Sequence, residues 1–192
     1  WDTPRLFDEI LAGFRAAYDA SDGRLESVGI DTWGVDYGRF DAAGELLELP
    51  FHYRDSRTDG VIDRVFEAIP ASELYADAGL QVQPFNTIYQ LVAQADDDRW
   101  DDVDTILLTP DLIGFWLTGR RFAEVTIAST TGLLDVRARQ WSASLALRLK
   151  EAFGLPLARV LPELVEPGTV VGPTKPGLLP EPVQVVAVGA HR

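Results

Sequence analysis

The stretch Val28-Gly-Ile-Asp-Thr-Trp-Gly-Val-Asp-Tyr37, with Leu49-Pro-Phe-His-Tyr-Arg-Asp-Ser-Arg-Thr58 behind it, decides how this chain folds. It begins as a short apolar strand over 27–30 and breaks into a polar turn opened by Gly34. A second extended piece over 35–40 meets 45–50 through Asp41-Ala-Ala-Gly44, which predicts a hairpin. In open α/β sheets ligands bind beyond the C-terminal ends of strands, and Asp31 and Gly34 stand there. Gly34 has no side chain, so a ligand hydroxyl could approach its backbone, and Trp33 could supply an apolar wall. The residues by themselves favour a plainer reading, a turn glycine beside a core tryptophan.

The return limb carries Arg54, Asp55 and Arg57. Two guanidinium groups around a carboxylate suit forked binding of an anion or polyol. They suit equally an internal ion-pair network that ties the hairpin to its neighbours, and spacing alone favours the network. His52 and His191 are the only histidines and have no metal-site spacing, so each reads as a hydrogen-bonding residue. The run Asp96-Asp97-Asp98, with Asp101, Asp102 and Asp104, reads as a solvated helix end and loop rather than a metal site.

Outward from there, Thr3-Pro4 predicts a helix start with a capping hydroxyl, and Phe7, Ile10, Leu11, Phe14 and Tyr18 recur at helical spacing up to Gly23. Val61, Ile62, Val65, Phe66 and Ile69 predict a helix stopped by Pro70, followed by helices over 71–78 and 87–95. A buried strand is expected over 105–108, then a helix from Thr109-Pro110 closed by Gly119. Further on, 130–136 predicts a strand, 142–153 an amphipathic helix, 161–182 a surface connector rich in proline and glycine, and 184–189 a last buried strand. Strands alternating with helices indicate an α/β domain.

Composition removes several function classes. With 46% hydrophobic and 24% charged residues in 192, the chain is ordinary globular material. A net charge of −13 argues against a nucleic-acid partner, because phosphate backbones need a basic face. No run approaches the roughly 20 apolar residues of a membrane span. There is no cysteine, so disulfides and thiolate metal sites are excluded, and a reducing cytoplasmic location is the expectation. The absence of methionine and the start at Trp1 create the expectation of a piece of a longer protein. Neither G-x-x-x-x-G-K-[ST], G-x-G-x-x-G nor G-x-S-x-G occurs.

Several segments, taken in order, resemble the FGGY family of carbohydrate kinases. They are Ile30-Asp-Thr-Trp-Gly-Val-Asp36, Leu49-Pro50 with Tyr53-Arg-Asp-Ser-Arg-Thr58, Pro84-Phe-Asn-Thr87 with Tyr89-Gln-Leu91, and Thr109-Pro-Asp111 with Leu117-Thr-Gly119. The likeness continues through Glu124-Val-Thr126, Ala128-Ser-Thr-Thr131, and Val185-Val-Ala-Val188 with His191, and so spans essentially the whole chain. Within the family, I-D-T-W-G-V-D and Y-R-D-S-R-T favour the branch that acts on L-rhamnulose over kinases of xylulose, glycerol or gluconate.

The resemblance implies an α/β domain of ribonuclease-H-like (actin/hexokinase-type ATPase) fold, incomplete at both ends. Residues 1–192 would form most of the N-terminal kinase domain, without its phosphate-loop segment and without the C-terminal nucleotide-binding domain. It implies ATP-dependent, Mg2+-assisted transfer of the γ-phosphoryl group to the 1-hydroxyl of L-rhamnulose. The alternatives are a kinase of another ketose (L-fuculose, D-xylulose) and an inactive sugar-binding homologue. By position, Gly34 and His191 would contact the sugar and Trp33 would wall it. The family's general base is an aspartate directly after that histidine, where this chain has Arg192. A guanidinium cannot accept a proton near neutral pH, so the expectation is that this 192-residue chain alone transfers no phosphoryl group.

Overall fold

A computed structural model describes residues 1–189. Helix α1 (Thr3–Ala20) is capped by Asp2, whose carboxylate accepts from Arg5 N at 3.1 Å. The cap is therefore one residue earlier than the Thr3-Pro4 pair suggests, and Thr3 is buried instead. Strands β1 (Ser27–Gly29) and β2 (Tyr37–Phe40) follow. Next come α2 (Val61–Ala68), α3 (Ala71–Ala78) and α4 (Thr87–Ala93), then β3 (Thr105–Leu108) and α5 (Thr109–Thr118). The second half holds β4 (Ala123–Glu124), α6 (Val125–Ala128), β5 (Leu134–Asp135), β6 (Gln140–Trp141), α7 (Ala143–Phe153) and α8 (Leu157–Val160). It closes with β7 (Leu164–Val165), β8 (Val170–Pro173) and β9 (Gln184–Val186). Gly119 and Gly154 end α5 and α7 in the left-handed conformation, as a C-terminal glycine does.

One sheet has the order β1-β9-β8, with β1 parallel and β8 antiparallel to β9. A separate antiparallel ribbon pairs β2 with β3 in the register Tyr37↔Leu108 to Phe40↔Thr105. Side chains alternate across that ribbon, which divides the interior in two. Phe40 and Leu107 pack with Leu11, Val28, Leu112, Ile113 and Val185 on one side. Tyr37, Ile106 and Leu108 pack with Val65, Ile69, Leu91, Leu149 and Val160 on the other. Among the described residues no helix is long and apolar enough to cross a membrane.

Three expectations change. The hairpin is rudimentary: 45–50 makes one bridge, Phe40↔Leu46, through the bonds Leu47 N to Arg39 O and Asp41 N to Glu45 O. β2 takes its full partner from β3 on the other edge. The strand expected over 130–136 begins instead in a 3-10 turn, Ser129–Thr131, and is strand only at β5. The hydroxyls of Ser129, Thr130 and Thr131 donate back to the carbonyls of Thr126, Ile127 and Ala128, and these local bonds override β-propensity. The connector over 161–182 contains β7 and β8; Gly172 and Pro173 are tolerated because β8 is an edge strand with a register shift between Val170 and Gly172.

Candidate functional site

A cleft of about 630 Å³ opens beside the turn that follows β1. It is lined by Trp33, Gly34 and Val35 from that turn, Tyr53 and Arg54 from the return limb, Leu80, Gln81, Gln83, Phe85 and Asn86 between α3 and α4, and Thr130. Three smaller cavities are each only large enough for about one water. The rings around the cleft touch in sequence. Trp33 lies 4.4 Å from Trp1, Trp1 stacks on His52 at 4.4 Å, His52 on Tyr53 at 4.6 Å, and Tyr53 meets Phe85 edge-on at 5.7 Å. Aromatic faces next to amide and guanidinium donors are the surfaces a polyhydroxylated small molecule uses.

Asp36, fully buried, ties this wall together. Its Oδ2 accepts from Trp1 Nε1 at 2.6 Å, Trp33 Nε1 at 2.9 Å and Tyr53 N at 3.3 Å. Its Oδ1 accepts from Gln90 Nε2 at 3.3 Å. Gln90, on α4, also donates to Val35 O and Phe85 O, and its Oε1 accepts from Arg57 at 2.5 Å. One side chain thus links both lips of the cleft.

The turn itself is strained. Val35 has φ 70, a conformation rare for a β-branched residue and costing about 1–3 kcal/mol. Asp36 N donates to Gly34 O at 2.9 Å across it, closing a γ-turn. So the extended piece expected from residue 35 begins only at Tyr37.

Trp33 and Gly34 both line the cleft, while Asp31 is exposed and outside its lining. The open vector of Gly34 points at Thr130: a Cβ there would lie 2.9 Å from both Thr130 Cγ2 and Oγ1. This packing by itself calls for glycine at the position. His191 and Arg192 lie outside the described residues.

The arginine pair separates. Among the described residues Arg54, Asp55 and Arg57 form no ion pair with one another, which corrects the network expectation. Arg54 lies over the Tyr53 ring at the cleft, Asp55 caps a short 3-10 turn through Arg57 N, and the Arg57 guanidinium stacks 3.9 Å over Phe51. Burial holds the Arg57 guanidinium below its usual range, with Tyr37 the largest opposing influence. The real ion-pair network joins Arg39, Glu48, Asp97 and Arg99. Asp97, expected to be solvated, is instead held well below the usual carboxylate range, first by its hydrogen bonds from Arg99.

Sequence reasoning assigned no role to Asp36, Gln90, Thr87 or Thr130. A signal existed for two of them: Thr87, Gln90 and Gln94 recur three and four residues apart, marking a polar stripe on an otherwise apolar helix. All three are buried.

A second buried carboxylate lies behind the sheet. Asp111 Oδ1 accepts from Glu124 N at 3.1 Å, while its Oδ2 has no hydrogen-bond partner among the described residues, and Asp111 borders a water-sized cavity with Glu124 and Val188. Burial pushes its carboxyl well above the usual range, so the folded state favours the protonated form. Stability should therefore fall as pH rises from about 4, the unfolded carboxylate range, towards neutral. Asp111→Asn should flatten that slope, as melting temperatures measured across the interval would show; an unchanged slope would assign it to other groups.

Comparison with known proteins agrees with this architecture. The profile of the FGGY family of carbohydrate kinases, N-terminal domain, matches residues 1–190. Rhamnulokinase of Enterococcus faecalis is 38% identical over 184 residues, 94% of this chain and 35% of the relative. Rhamnulokinase of Pectobacterium atrosepticum is 40% identical over 190 residues, 97% of this chain and 37% of the relative. The chain thus spans little more than a third of the length of these relatives. Gluconate kinase from Lactobacillus acidophilus superposes with a TM-score of 0.84 at 18% identity, over 97% of this chain and 39% of that one. Ligand-bound xylulose kinase from the same organism gives 0.83 at 18% identity, with the same two coverages. The fold is that of the actin/hexokinase-type sugar kinases, as the sequence resemblance implied. With residues 1–190 of its 192 matched, the chain belongs to the FGGY family of carbohydrate kinases.

Proposed function

We propose that the protein carrying this domain phosphorylates L-rhamnulose at its 1-hydroxyl with ATP, and that the cleft between Trp33, Tyr53 and Phe85 holds the ketose. The observation that carries the reading is the lining of that cleft. The aromatic faces of Trp33 and Tyr53 suit C–H faces of a sugar, and the side chains of Arg54, Gln81, Gln83 and Asn86 suit its hydroxyls. Leu80, Val35 and Phe85 add an apolar corner that matches the methyl group of a 6-deoxyketose. D-Xylulose has no such methyl group. The rhamnulokinase relatives support the same choice.

Phosphoryl transfer needs positioning, charge neutralisation and a base. This domain's described residues serve the first: they orient the ketose and exclude water from its faces. Among the described residues no group of three or more His, Asp or Glu side chains is placed to hold a metal ion, so these residues do not by themselves make a site for Mg2+.

Thermal melting of the full-length protein with L-rhamnulose, L-fuculose and D-xylulose tests the choice of sugar. A ligand at about 100 times its Kd stabilises by about 2.7 kcal/mol, so L-rhamnulose should give the largest rise in melting temperature. A rise with another ketose and none with L-rhamnulose would overturn the assignment.

A further inference from the structure

The strained turn at Val35 sits on the cleft wall and is gripped from two sides. Val35 N donates to Thr130 Oγ1 at 3.1 Å. That hydroxyl gives its own proton to Ile127 O at 2.8 Å, so it is fixed as the acceptor. On the other side Val35 O accepts from Thr87 Oγ1 at 2.7 Å and from Gln90 Nε2 at 3.2 Å. Thr130 is itself anchored, since Asn86 Nδ2 donates to its carbonyl at 3.3 Å. A β-branched residue at φ 70 returns to extended or helical backbone when nothing holds it. That relaxation would turn the peptide between Gly34 and Val35 and move the Trp33–Gly34 wall.

We propose that Thr87 and Gln90 are positioning residues for the sugar site: with Thr130 they clamp Val35 in its left-handed conformation and so set the wall formed by Trp33 and Gly34. The inference rests on the ketose reading of the cleft. Thr87 is the informative member. It is fully buried and absent from the cleft lining, so it cannot touch a bound sugar, and any effect on sugar affinity must pass through the turn.

The test uses the full-length protein and L-rhamnulose, with calorimetric titration for Kd and steady-state assay for KM and kcat. Thr87→Val keeps the shape of the side chain and removes one hydrogen bond, so Kd and KM should rise about tenfold with kcat within about twofold. Thr87→Ser should restore both. Glycine adopts positive φ unaided, so in a Val35→Gly background the further change Thr87→Val should raise Kd by less than about threefold. Wild-type affinity in a folded Thr87→Val variant, or an undiminished effect in the Val35→Gly background, would overturn the clamp while leaving the ketose site standing. Absence of ketose binding by the unsubstituted protein would remove the site reading and the clamp with it.

Discussion

Arg39→Met should lower the unfolding free energy by about 3–5 kcal/mol, read as a shift in the urea midpoint, because it breaks a buried ion pair on one side only. Arg39 is 1% exposed. Its Nε donates to Glu48 Oε1 at 2.7 Å and its Nη2 to Asp97 Oδ2 at 2.8 Å, while its guanidinium lies 5.2 Å from the Trp100 ring centre. Methionine fills much of the space and leaves both carboxylates with Arg99, which bonds Glu48 at 2.6 Å and Asp97 at 2.7 Å. Arg99 is 43% exposed, and a half-exposed partner compensates poorly for a buried one. Gln94, which joins Glu48 to the Tyr37 hydroxyl, would carry the damage into the larger core. A midpoint unchanged by Arg39→Met would show that the network is dispensable.

Gly34→Ala is expected to have the largest effect on ligand binding. Its Cβ would sit 2.9 Å from two atoms of Thr130. Thr130 is a short side chain bonded to both Val35 N and Ile127 O, so it cannot swing aside, and the Trp33–Gly34 wall must move instead. Overpacking of this kind costs about 1–3 kcal/mol of stability. Affinity for L-rhamnulose should fall by at least about tenfold, which matches roughly 1.4 kcal/mol of lost complementarity in the cleft. Titration of the folded variant checks this; unchanged affinity would place the ligand away from Gly34.

The fold was legible wherever periodicity and punctuation agreed. The helix with Val61, Val65 and Ile69 before Pro70, the buried strand at 105–108, and the glycine ends of α5 and α7 all follow from side-chain pattern and capping. Misreadings arose where short-range side-chain bonds or long-range pairing decided. Three consecutive hydroxyls turned 129–131 into a helical turn, and β8 found a distant partner in β9 that its glycine and proline content concealed. The site was half legible. Trp33 and Gly34 stood out as a turn after a strand, but Asp36, Thr87, Gln90 and Thr130 each also bond residues 35 to 95 positions away along the chain. No local spacing encodes those meetings. Arg54 and Arg57, three residues apart, went to different tasks because Phe51 and Gln90 claimed the second.

The central claim is that this domain positions a 6-deoxyketose for phosphorylation at its 1-hydroxyl. Its most direct test is product formation by the full-length protein with ATP and L-rhamnulose, followed by 31P NMR, in competition with D-xylulose and L-fuculose. The account predicts L-rhamnulose 1-phosphate, formed with a kcat/KM at least about tenfold above either competitor. Phosphorylation of another ketose in preference, or tight binding of L-rhamnulose with no phosphorylated product, would contradict it.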